Sequence, residues 1–177
     1  AHRCAGADLS EAGVIAPDTI VVKVAELRAG GEHAELVSLG LGSCVAIILL
    51  DPEAKVGGMA HVLLPSRSLS GRGTASAGKF PETAVPALIE QMAALGAQPR
   101  RMSARLVGGA SMFANLTPLG AVQMGERNVV ASREALATAG IPIMAEATGG
   151  TAGRSVRLRV ADGSVSIRTL VDGERTL

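Results

Sequence analysis

The chain reads as one α/β domain, and three observations carry that reading. Short apolar strands are separated by glycine turns, one stretch repeats apolar residues at helical spacing and a second ends at a capping glycine, and 177 residues suffice for one sizeable core but not for two. Ile20 to Leu27 alternates as a strand, and Arg28-Ala29-Gly30-Gly31-Glu32 turns it into a second short strand, Ala34 to Leu39. The apolar runs Val45 to Leu50 and Val56 to Leu64 surround Asp51-Pro52 and make a hairpin. Ser66 to Gly78 is small and polar, which predicts a mobile loop after that hairpin. A helix opens near Pro81-Glu82, carries Val85, Leu88, Ile89, Met92 and Leu95 on one face, and stops at Gly96; Pro86 is tolerated near its first turn. Ala104 to Val107 is a short buried strand leading into Gly108-Gly109-Ala110-Ser111-Met112-Phe113. A second helix from Arg127 to Ala139, capped by Gly140, feeds the strand Pro142 to Ala147. After Gly149-Gly150, the runs Ser155 to Val160 and Ser164 to Leu170 form a last hairpin through Asp162-Gly163. The predicted organisation is an N-terminal extension over 1–19, a domain over 20–170 and a C-terminal tail over 171–177.

Composition removes several function classes. Seventeen basic against sixteen acidic residues leave no net field to attract nucleic acid or a membrane surface. Hydrophobic content is 47%, yet no apolar stretch approaches the roughly 18 residues of a spanning helix. There is no Trp or Tyr, and Phe80 and Phe113 alone make no platform for stacking bases. No secretory signal is read from the first residues, and two cysteines are too few for a disulfide framework. With Cys4 in a polar terminal segment, a reducing cytoplasm is the expected compartment.

Cys44 closes the glycine-rich run Leu39-Gly40-Leu41-Gly42-Ser43-Cys44, and His61 follows seventeen residues later in Gly57-Gly58-Met59-Ala60-His61. A thiol needs a base to become a good nucleophile. If Leu50 and Lys55 flank a four-residue loop, Cys44 and His61 oppose each other directly across the hairpin, on one face. A register slip of two leaves them diagonal neighbours on that face, whereas a slip of one separates them. Gly40 and Gly42 let the chain turn sharply and expose backbone N–H groups near Cys44, as an oxyanion beside the sulfur needs, which makes Gly42 and Ser43 the candidate oxyanion turn. Such a pair predicts alkylation of Cys44 well below the pH where a free thiol of pKa about 8.5 reacts. Taken singly, each residue also has a plain core reading, the cysteine as a small apolar side chain and the histidine as a satisfied one. Met112 and Phe113 read as core residues, with an apolar docking surface as the alternative. Glycine doublets at 57, 108 and 149 are either close backbone approaches around one site or plain turns. Gly40-x-Gly42 lacks the third glycine of a dinucleotide loop, and no cysteine or histidine spacing suits zinc. No metal or organic cofactor is expected.

The run Ser38-Leu-Gly-Leu-Gly-Ser-Cys44, the continuation Asp51 to Pro65, Gly108-Gly-Ala-Ser-Met-Phe113, Gly125-Glu-Arg-Asn-Val129, Ala145-Glu-Ala-Thr-Gly-Gly150 and Arg154-Ser-Val156 together resemble the CheD family of chemoreceptor glutamine deamidases. The matches are ordered and spread over residues 20 to 170. The resemblance implies a three-layer α/β/α sandwich with a mainly antiparallel or mixed sheet. It also implies conversion of receptor glutamines to glutamates in chemotaxis adaptation, with some hydrolysis of glutamyl methyl esters, and a Cys, His, Thr catalytic set. Cys44 and His61 match the first two positions. Ser38 stands where the family usually has threonine, keeping the hydroxyl and losing the methyl that restrains χ1. The implied partners are cytoplasmic helices of chemoreceptors and the phosphatase CheC. Two other readings share these residues: a general Cys-His amidase, and a non-catalytic chemotaxis adaptor that binds receptor or CheC.

Overall fold

The computed structural model describes residues 18–71, 75–112 and 123–177. The described residues form ten strands in two five-stranded sheets. The first has the order β1 (Asp18–Val21), β3 (Ala34–Leu41), β8 (Arg154–Arg159), β9 (Ser164–Thr169) and β10 (Gly173–Thr176). The second runs β2 (Leu27–Gly30), β5 (Val56–Val62), β4 (Val45–Asp51), β6 (Ser103–Gly108) and β7 (Ile143–Thr148). Only β1 with β3 and β6 with β7 pair in parallel, so both sheets are mixed and mainly antiparallel.

Period-two alternation sorts the central strands into two cores. Val45, Ile47 and Leu49 of β4 face Val85, Leu88 and Met92 of α1 (Pro81–Ala94) and Val129 and Leu136 of α2 (Met124–Thr138). Ala46, Ile48 and Leu50 face the other way, onto Leu36, Val156, Leu158, Val165 and Ile167 of the first sheet. The α/β class and the mixed, mainly antiparallel sheets match the expectation, but the layers run helices, sheet, sheet rather than α/β/α. The cause lies in β8 and β9, whose buried Val156, Leu158, Val165 and Ile167 alternate with outward Arg157, Arg159 and Arg168; this is the pattern of a sheet with one solvated face.

Several boundaries move. The stretch 20–27 is not one strand: β1 ends at Val21, the chain crosses between the sheets over Val22–Glu26 with Ala25 at φ 63, and β2 starts at Leu27 and runs on through Arg28–Gly30 of the predicted turn. Helix α2 begins at Met124, three residues before its predicted start. Pro86 sits in the second turn of α1 on an exposed position, where water can serve the Glu82 carbonyl that loses its partner. Strand β10 is fully exposed and had no apolar alternation to announce it. Cys4, Phe113 and residues 72–74 of the predicted 66–78 loop lie outside the described residues; short 3-10 turns occupy Arg67–Leu69 and Ala77–Lys79. Among the described residues no helix is long and apolar enough to cross a membrane.

Candidate active site

The hairpin register decides where Cys44 and His61 meet. Asp51 pairs with Val56 and Ala46 with His61, so the loop is Pro52 to Lys55 and the pairing is two residues out from the sequence-based one. Asp51 causes this difference. Its carboxylate accepts the N–H groups of Glu53 and Ala54 at 3.1 Å each, folding the turn back on Asp51 itself, and Lys55 closes the loop at φ 52. Cys44 therefore lies diagonal to His61 on the shared face, instead of directly opposite. Diagonal positions about 7 to 8 Å apart remain within reach of a long or ring side chain.

His61 is buried on the face toward the first sheet. Ser38, inward-facing on β3, brings its Oγ to 2.7 Å from His61 Nδ1, so the two sheets meet at this contact. The same Oγ lies 3.0 Å from the Val22 carbonyl, which can only accept, so the single hydroxyl proton goes there. Nδ1 must then carry its own proton and donate to Oγ. This fixes the tautomer of neutral His61 and leaves a lone pair on Nε2, which is buried with no hydrogen-bond partner. The Val22–Glu26 crossover also grips the His61 backbone: Ala25 N–H donates to the His61 carbonyl at 2.8 Å, and His61 N–H to the Glu26 carbonyl at 2.9 Å.

Cys44 is half-buried at the edge of the inter-sheet core. Burial pushes its thiol up from the ordinary range, its own backbone N–H pulling the other way. Burial likewise pushes His61 down, with the Val22 carbonyl acting against it. Both shifts favour a neutral thiol and a neutral imidazole over a thiolate–imidazolium pair. These directions run against the expectation of alkylation at unusually low pH.

The turn before Cys44 is held through its carbonyl groups. Ala110 N–H donates to the Gly42 carbonyl and Gly109 N–H to that of Cys44, both at 2.8 Å, while Asn128 Nδ2 donates to the Ser43 carbonyl at 2.8 Å. A side chain on Gly108, at φ 119, would put its Cβ 2.3 Å from the Cys44 carbonyl oxygen, so only glycine fits there. The Arg154 guanidinium gathers the carbonyls of Ala147 and Gly149, and Gly149 N–H in turn reaches the Gly108 carbonyl at 3.0 Å. The doublets at 108 and 149 therefore support the Cys44 turn. Gly57 and Gly58 instead let Leu158 and Leu88 pack close on β5, away from it. Met112 is not core: it is exposed and lies against Gly42. A cavity of about 810 Å³ lies beside the turn against β3, β8 and β9, lined by Leu39, Gly40, Met112 and Arg154 among others; neither Cys44 nor His61 lines it. Among the described residues no three His, Cys, Asp or Glu side chains converge as metal ligands would.

Sequence reasoning put Cys44 and His61 on one face of the hairpin with Gly42 and Ser43 in the turn, and named Ser38 only through the family resemblance; the structure brings Ser38 to His61. Sequence reasoning missed the Val22 carbonyl, which has no sequence signature, and Asn128, which stood in a noted phrase without a role.

A two-sheet α/β domain that gathers a half-buried thiol, an imidazole nitrogen with a free lone pair and a buried hydroxyl has the parts of a cysteine-dependent hydrolase. Comparison with known proteins narrows the class. Residues 63–169 match the family model described as CheD chemotactic sensory transduction. A Geobacter metallireducens protein named probable chemoreceptor glutamine deamidase CheD 2 is 42% identical over 85% of this chain and 93% of its own length. The chemoreceptor glutamine deamidase CheD of Thermotoga maritima is 41% identical over 88% of this chain and 94% of its own. The chain belongs to the CheD family. Among solved structures, Neisseria meningitidis NMB0706 overlays with a TM-score of 0.47 at 12% identity, covering 77% of this chain and 65% of that one, too slight a likeness to bear on function.

Proposed function

We propose that this protein hydrolyses the side-chain carboxamide of chemoreceptor glutamines to glutamate, with Cys44 as nucleophile and His61 as base and acid, in the adaptation branch of chemotaxis. The observation that carries the mechanism is the Val22 carbonyl, Ser38, His61 chain, which commits the Nδ1 proton and leaves Nε2 to act. With both groups neutral at rest, His61 Nε2 takes the thiol proton as Cys44 Sγ attacks the carboxamide carbon. The negative charge passes to the amide oxygen, where backbone N–H groups of the Gly42–Cys44 turn can receive it. The proton on Nε2 moves to the leaving nitrogen, the C–N bond breaks and ammonia departs, leaving a thioester on Cys44. Water attacks the thioester carbon, losing its proton to Nε2, and the thiolate leaves and regains that proton. The Ser38 oxygen accepts from Nδ1–H throughout and steadies the imidazolium each time it forms. No metal or organic cofactor enters these steps.

The names of the relatives support a receptor as substrate, and a cytoplasmic site of action follows from that substrate. Receptor cytoplasmic helices supply the glutamine, and CheC, where present, competes for the same face. Mass spectrometry of a receptor cytoplasmic fragment incubated with wild type, Cys44→Ala and His61→Ala tests the proposal. Wild type converts glutamine to glutamate and the variants do not. Equal conversion by all three, or none by wild type on a competent receptor, overturns it.

A further inference from the structure

Asn128 is buried in α2, yet its polar atoms are spent on neither its own helix nor solvent. Its Nδ2 donates to two backbone carbonyls from different strands of the hairpin: Ser43 at 2.8 Å and Leu63 at 3.1 Å. Two acceptors require the amide nitrogen there, since the reverse orientation would set oxygen against oxygen. Ser43 and Leu63 flank the point where the β4–β5 ladder stops, because Val45 with Val62 is its last pair. The side-chain amide thus ties the two strands together one step beyond the ladder, beside Cys44. It does so at a cost: Asn128 Oδ1 is buried with no partner. A half-satisfied buried amide is what a plain core position avoids.

We infer that Asn128 is a positioning residue that sets the Ser43–Cys44 peptide plane so that the Cys44 N–H faces the reacting carbonyl as an oxyanion donor. This rests on the deamidase mechanism proposed above. In a trans peptide the C=O and N–H vectors point in opposite directions. Asn128 approaches from the helical layer and holds the Ser43 oxygen on that side, so the Cys44 N–H points away from it, toward the side that carries the thiol. Two facts agree. Among the described residues no backbone carbonyl takes the Cys44 N–H, and that N–H instead favours the thiolate form of its own sulfur. The carbonyls on either side, of Gly42 and Cys44, are held by Ala110 and Gly109, so the Ser43–Cys44 plane is the part of the turn that depends on a side chain.

The test uses Asn128→Ala and Asn128→Asp; the second keeps the shape and volume but presents oxygen where a donor is needed. Losing an oxyanion donor lowers kcat by about 10²- to 10³-fold. For receptor-fragment deamidation, kcat is expected to fall about 10²-fold in both variants, with KM within about twofold. The pH profile of iodoacetamide alkylation at Cys44 is expected to move to higher pH, because the N–H that favours the thiolate is turned away. Ser132→Ala is the control. It removes a buried hydrogen bond of 2.7 Å to the Asn128 carbonyl without touching Ser43, and is expected to lower Tm while kcat per folded molecule stays at the wild-type value. Wild-type kcat in folded Asn128→Asp, or an unmoved alkylation profile, overturns the inference. The alkylation arm needs no receptor, so it decides the peptide orientation even if wild type leaves receptor glutamine unchanged, the outcome that would overturn the deamidase reading instead.

Discussion

At its two ends the β4–β5 hairpin buries polar groups in opposite ways. At the loop end, Asp51 is fully buried and saturated: its oxygens accept from the N–H groups of Glu53, Ala54 and Gln98 and from the Arg101 guanidinium, at 2.8 to 3.2 Å. At the open end, His61 Nε2 and Asn128 Oδ1 are buried with no partner. A buried polar atom left unsatisfied costs about 1 to 3 kcal/mol, so a saturated end is built for stability and an open end keeps its capacity for a substrate. The same hairpin therefore contributes register at one end and chemistry at the other.

Substitutions at each end break this comparison in different observables. Cys44→Ala and His61→Ala are expected to give the largest change, loss of receptor-glutamine conversion by about 10²- to 10⁴-fold or more, with Tm held in Cys44→Ala because only a half-buried sulfur is removed. A Tm fall matching the activity loss would mean that the open end is structural after all. Asp51→Ala is expected to cost about 2 to 3 kcal/mol in urea unfolding, since it strips a charged acceptor from several donors at once, while kcat per folded molecule changes little. Burial pushes the Asp51 carboxyl up, but Arg101 and the N–H groups of Gln98 and Ala54 outweigh this and hold it below the usual range. Its contribution is thus present above the ordinary carboxylate pKa of about 3.9 and is lost as pH falls below that value, which acid unfolding of wild type and Asp51→Asn would compare.

A smaller effect belongs to Ser38→Ala, which leaves Nδ1–H without its acceptor. A kcat about 10-fold lower is expected, with Ser38→Thr retaining activity because the hydroxyl survives. The smallest change is in pH dependence. His61 is pushed below its ordinary value of about 6.5, so the acid limb of kcat/KM is expected below that pH, and Cys44 alkylation is expected to inflect above about 8.5. An acid limb well above 6.5 would point to an ion-paired resting site.

The same contrast explains what could be seen in the chain. Cys44 and His61 were assigned to one face because side chains alternate with period two, and a slip of two residues preserves that parity. The slip itself was hidden: an Asp-Pro loop suits several lengths, and the Asp51 partners Gln98 and Arg101 come from a segment nearly fifty residues away. Ile20 to Leu27 looked like one strand because its residues suit either sheet, and the break at Ala25 depends on contacts with His61. The helix α1 was legible because it carries apolar residues at three and four, and α2 because Gly140 stops it, both local signals.

By itself, the sequence determined the α/β class, most strands and helices, and a thiol and an imidazole on one hairpin face, since these follow from local periodicity and turn residues, while the Ser38 hydroxyl came only through an ordered set of motifs. Tertiary structure alone decided that the third layer is a sheet, that Cys44 and His61 are diagonal, that burial pushes the thiol up and that Asn128 braces the turn. Those depend on desolvation and on contacts between residues distant in the chain, and neither is encoded in any one stretch of it.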